Sequence, residues 1–170
     1  PTNIGLYLLS TLAARDLGGV GTIDVVERLE QTLASLLRLE RFRGHFFNWY
    51  DTTDLRPLDP RYVSSVDSGN LAGHLIALAH ACREMTEQPL LPQAALAGME
   101  DAALLVRDAA LALTEGRRSW SVTRQRLEEG LDAVLAAAED VPDAQDWAGR
   151  LAELEAHARA VTDLARSLVE

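Results

Sequence analysis

Residues 21–38, GTIDVVERLEQTLASLLR, carry the pattern that decides the fold. Val25, Val26, Leu29, Leu33, Leu36 and Leu37 recur at helical spacing, while Glu27, Glu30, Arg38 and Glu40 fall mostly off that stripe. Thr22 is the expected N-cap, and the helix is expected to stop near Arg43-Gly44. Upstream, Ile4, Leu8, Leu9, Leu12 and Ala13 mark a first helix, capped by Thr2 or Asn3 and ended by Gly18-Gly19. Downstream, Asp67 or Ser68 is the expected cap of a third helix over about 70–85, with Leu71, Leu75, Leu78, Ala79 and Cys82 inward. Between them Asp51-Thr52-Thr53-Asp54, Pro57 and Pro60 read as an ordered loop, and Tyr62 to Val66 as a few extended residues. After Pro89 and Pro92 the chain turns Ala- and Leu-rich, with helices expected over 93–113, 121–139 and 144–168. Ser121 and Asp143 are the natural caps of the last two. No strand and no fixed-period repeat is expected, so the fold class is all-α with roughly six helices.

Composition narrows the partners. The chain has 170 residues, 48% of them apolar and 25% charged, as in an ordinary globular protein that buries a core. Its net charge of −10 argues against nucleic acid, whose affinity comes mainly from cations displacing counterions, and equally against anionic lipid. Every basic residue is Arg, which reads as base composition rather than a binding device. Cys82 stands alone in an apolar stretch and reads as a small buried thiol. No apolar run approaches the roughly 20 residues a membrane span needs, and residues 1–12 lack the marks of a signal peptide. A start at Pro1, without Met and directly before a helix, is what a segment of a longer polypeptide would show.

Seven of the nine aromatic residues precede residue 63. The stretch from Arg41 to Asp51 (RFRGHFFNWYD) and then Tyr62 to Asn70 (YVSSVDSGN) set rings beside Asn, Asp, Arg and Ser. That mixture suits a carbohydrate, because the C–H face of a pyranose packs on an aromatic ring while its hydroxyls need fixed donors and acceptors. The candidate sugar contacts are Trp49, Tyr50, Asp51, Asp67, Ser68 and Asn70. The plainer reading makes the Phe residues core, Trp49 half-buried packing, and Asp51 or Asp67 a helix cap. A glycosidase would need two carboxylates across the sugar, and no spacing rule ties Asp51 or Asp54 to Asp67. His45, His74, His80 and His157 lack metal-ligand spacing, and there is neither a phosphate loop nor a nucleophile elbow. No metal and no cofactor is expected. The acidic residues of the last three helices read as a solvated face.

Four strings then occur in order: PTNIGL (1–6), RLERFRGH (38–45), NWYDT (48–52) and YVSSVDSGNLAGHL (62–75). Together they resemble the cyclic β-1,2-glucan synthases, over about residues 1–85, at the start of the central glycoamylase-like cyclisation (transglycosylation) domain of that family. The resemblance implies that residues 1–91 are the first helices of an incomplete (α/α) barrel, with 92–170 a helical bundle assigned by continuity alone. It implies a β-glucan oligosaccharide as partner and a cytoplasmic position beside an inner-membrane parent, without direct membrane contact. It carries over no catalytic residue, so the segment by itself is expected to be inactive. Relatives are expected to carry Arg where Thr53 stands and Tyr where Phe47 stands. The alternative is a structural or docking module, whose exposed apolar faces would favour a homodimer.

Overall fold

Helix α1 (Thr2–Asp16) lies so close to α3 (Ser65–Glu87) that Gly5 has no room for a side chain. A Cβ there would sit 2.2 Å from His74 Nδ1, so glycine is required by the approach of the two helices. The computed structural model describes residues 1–89, 93–114, 121–139 and 147–169. Helix α2 (Thr22–Arg38) completes the first core, where Leu8, Leu12, Val25, Leu29, Leu36, Leu39 and Leu78 are all buried. Leu8 and Val25 are fully enclosed, each worth about 1.5–3 kcal/mol of apolar transfer.

Only half of the apolar stripe of α2 enters this core. Val26, Leu33 and Leu37 remain exposed, as does Ile23. Arg15 is the charged residue the pattern did not single out as buried, at 3% exposure. Its guanidinium donates to Thr22 Oγ1 and Gln88 Oε1, both at 3.0 Å, tying the end of α1 to the start of α2 and the end of α3. A buried cation is tolerated when such partners replace water.

The helix starts differ from expectation by a few residues. Pro1, Gly21 and Ser64 occupy the N-cap positions of α1, α2 and α3. Asp67 is thus not the cap of α3 but lies in its first turn, where its backbone N–H donates to Ser64 Oγ at 3.1 Å. Ser64 three residues before an acid is a capping-box spacing, and it starts α3 at Ser65 rather than near residue 70. The expectation of no strand also fails locally. Helix α2 ends at Arg38, and β1 (Arg41–Phe42) pairs antiparallel with β2 (His45–Phe46). Arg43 and Gly44 both have positive φ, 50° and 87°, the backbone of a two-residue hairpin turn. Among the described residues the chain is all-α apart from this small ribbon.

The contacts divide the chain into two units, residues 1–95 and 96–170. Three helices supply the second: α4 (Gln93–Thr114), α5 (Ser121–Glu139) and α6 (Trp147–Val169). Its core is aliphatic, built from Ala103, Leu127, Leu131, Val134, Ala137, Leu154 and Val161. On α6, Leu154 and Val161 are buried, while Leu151 is 37% exposed. The expected cap Asp143 and the side chain of Ser121 lie outside the described residues. Among the described residues no helix is long and apolar enough to cross a membrane.

Candidate functional site

The loop after the hairpin is held by its own backbone. Asn48 N–H donates to Tyr62 C=O at 2.8 Å, Leu58 N–H to Trp49 C=O at 3.0 Å, and Asp51 N–H to Arg56 C=O at 2.9 Å. Phe47 anchors the loop in the interior, with Tyr50 edge-on to it at a centroid distance of 6.4 Å. Tyr50 spends its hydroxyl on the same scaffold, accepting from Phe47 N–H at 2.8 Å and donating to Glu40 C=O at 2.7 Å. Partial burial raises its pKa above the usual tyrosine value, and the Phe47 amide bond opposes the rise.

Trp49, by contrast, is half exposed and stacks on Tyr62, with ring centroids 6.0 Å apart and planes at 28°. It lines a cleft of about 440 Å³ between the loop, the start of α1 and one side of α2. Its lining includes the polar residues Asn3, Thr32, Ser35, Asn48, Asp51 and Thr52 and the apolar residues Ile4, Leu36, Leu39 and Leu55. Asn48 Oδ1 is buried and has no hydrogen-bond partner. Asp51 Oδ1 accepts from Thr53 N–H at 2.7 Å, and that bond leads the causes that hold its carboxyl below the usual aspartate range.

Asp67, Ser68 and Asn70 lie elsewhere and are not among the residues lining the cleft. They belong to the junction of the α1 and α3 starts. Thr2 Oγ1 donates to Asp67 Oδ1 at 2.6 Å and accepts from Asn70 Nδ2 at 3.2 Å, while Ser68 Oγ donates to Ser64 C=O at 2.8 Å. The Thr2 bond leads the causes that lower the Asp67 pKa. Both candidate aspartates are therefore stabilised as carboxylates, whereas a general acid needs its pKa raised. Among the described residues no three His, Cys, Asp or Glu side chains gather as a metal site.

The structure thus brings Trp49, Tyr50 and Asp51 to one cleft and assigns the other three candidates to a helix junction. Reasoning from sequence missed Asn3, Thr32 and Ser35, because single polar residues on helices carry no local signal. Tyr62 could have been found from the aromatic bias of the region, but its stacking on Trp49 could not.

Among the described residues, the fold is helical apart from the hairpin, with a cleft of mixed aromatic, apolar and polar lining beside an ordered loop. No family model matches the chain. It is 48% identical over 141 residues to the cyclic beta-(1,2)-glucan synthase NdvB of Rhizobium meliloti (strain 1021), spanning 81% of this chain and 5% of that relative. The chain is therefore a segment related to a cyclic β-glucan synthase. The match is longer than either structural unit, so it includes parts of both and extends past the limit near residue 85 that the motifs suggested.

Proposed function

We propose that residues 1–95 supply one wall of a saccharide cleft to a cyclic β-glucan synthase-related enzyme whose reacting carboxylates come from other parts of the polypeptide. The observation that carries this reading is the half-exposed Trp49, stacked on Tyr62 and lining a cleft of mixed apolar and polar residues. A flat ring of this kind receives the C–H face of a pyranose, and the polar residues answer its hydroxyls. The relative's name makes a β-1,2-linked glucan the first ligand to test. In this reading the segment opens a glycoamylase-like cyclisation domain, its first helices being part of an incomplete (α/α) barrel. Asp67, Ser68 and Asn70 then shape the wall from behind and touch no sugar.

Calorimetric titration of the chain with linear β-1,2-gluco-oligosaccharide tests this. Trp49→Ala is expected to weaken binding about tenfold or more, as loss of a stacking ring does. Equal affinity in the two proteins, or no binding by either, overturns the reading.

A second reading, a docking role, is favoured by the outer face of α2, where Ile23, Val26, Leu33 and Leu37 are exposed. Sedimentation across a concentration series would reveal a homodimer formed through that face. Its loss in Leu37→Glu, the most exposed of the four at 78%, is the expected result.

A further inference from the structure

The exposed side of α2 carries a regular seam. Ile23, Val26, Glu30, Leu33 and Leu37 follow one another at alternating steps of three and four residues, the a and d positions of a coiled coil. The four aliphatic members are exposed, Ile23 at 64%, and so is Glu30. The seam is separate from the cleft of Trp49, to which α2 presents Thr32, Ser35 and Leu36 instead. Glu30 interrupts the seam at its central a position, within about 20° of both Ile23 and Leu37 around the helix axis. Glu27 flanks it three residues away, a like-charge spacing that is unfavourable on a helix. Arg28 stands on the other side of the helix, about 160° from Glu30. Among the described residues neither glutamate is held in an ion pair.

We propose that this seam docks a basic amphipathic helix, one with aliphatic residues at its own a and d positions and an Arg or Lys facing Glu30. This rests on the docking reading and names the partner that fits the face best. An apolar stripe with a seven-residue repeat is matched by another helix, whose side chains fill the gaps between Ile23, Val26, Leu33 and Leu37. Taking Glu30 out of water inside such a contact is unfavourable unless the partner brings a cation to it. A second copy of the chain covers the aliphatic residues but brings none. In a parallel pair Glu30 meets Glu30, and in an antiparallel pair it meets Val26 or Leu33. A second copy is therefore the weaker occupant. The two carboxylates also turn away an anionic lipid surface.

The test uses the whole chain and labelled synthetic helical peptides of about three heptads. They are identical except for Arg, Gln or Glu at the central a position, and binding is read by fluorescence anisotropy. The Arg peptide is expected to bind about tenfold tighter than the Glu peptide at low salt, with the Gln peptide between them. That ratio should shrink at high salt, where the charges are screened. Glu30→Arg should reverse the order, so that the Glu peptide binds best, which a purely apolar contact would not do. Leu37→Glu should weaken every peptide several-fold, with circular dichroism confirming that both variants keep their helices. Equal binding of the Arg and Glu peptides, or an unreversed order in Glu30→Arg, overturns the proposed partner and leaves the docking face standing. Self-association tighter than the Arg complex does the same. Peptide binding that ignores Leu37→Glu belongs to another surface and also overturns the proposal. Absence of both peptide binding and a dimer overturns the docking reading itself.

Discussion

Among the described residues, the polar side-chain contacts within residues 1–95 differ in reach from those along α5 and α6. In residues 1–95 side chains reach across the fold: Thr2 to Asp67, Asn70 back to Thr2, and Arg15 to Gln88 join residues more than sixty positions apart. In α5 and α6 the described side-chain bonds run along single helices, Arg124 to Glu128, Gln125 to Glu129 and Arg159 to Glu155, each four residues apart. A contact between distant residues orders loops and fixes the register of helices. One confined to a helical turn mainly supports that turn and solvates its surface. The first unit also holds an aromatic ring half out of its core, whereas the described core of the second is aliphatic.

The comparison is sharpened most strongly in the cores, where the two units should behave alike. Leu8→Ala and Leu131→Ala each empty a nearly sealed site and should each cost about 2–5 kcal/mol in denaturant unfolding. A much smaller loss at Leu131 would mean that the second unit is loosely packed. Next comes Tyr50→Phe, which strips both hydrogen bonds from the loop scaffold and should cost about 1–3 kcal/mol. Hydrogen exchange should show the Phe47 amide losing protection in that variant.

Asp67→Ala should lower the melting temperature at neutral pH by less than Tyr50→Phe does. The folded pKa of Asp67 is depressed, so its contribution is fully present above the unfolded aspartate value and is lost as pH falls through the folded one. The gap between wild type and variant should therefore close below about pH 4. A gap that persisted at lower pH would mean that the Thr2 bond does not depend on the charge. Arg159→Ala, at the exposed end of the series, should leave the melting temperature unchanged within error, since surface pairs in solvent contribute little. A clear loss there would erase the distinction between the two kinds of contact.

Legibility followed the range of the interactions. The α2 stripe, the Ala- and Leu-rich helices and the loop at Pro57 and Pro60 were readable because periodicity and turn chemistry act within a few residues. The hairpin at Arg43-Gly44 was read as a helix stop, since a two-residue strand is too short to show alternation. No local sign in the sequence shows that Thr2 stands beside Asp67. Half of the α2 stripe was likewise expected inside, although Val26, Leu33 and Leu37 face away from the core. Periodicity tells which face is apolar but not how much of it a neighbour covers.

By itself the sequence determined the helical class, the approximate elements, the relationship to cyclic β-glucan synthases and the stretch where the aromatic rings gather. The tertiary structure alone decided that Trp49 stands out while Tyr50 is bound into its loop, and that Thr32 and Ser35 from α2 share the cleft. The reason is physical: helix formation follows from bonds within a few residues, whereas a cleft is the gap left where distant elements fail to meet. Its lining is set by packing that no local pattern encodes.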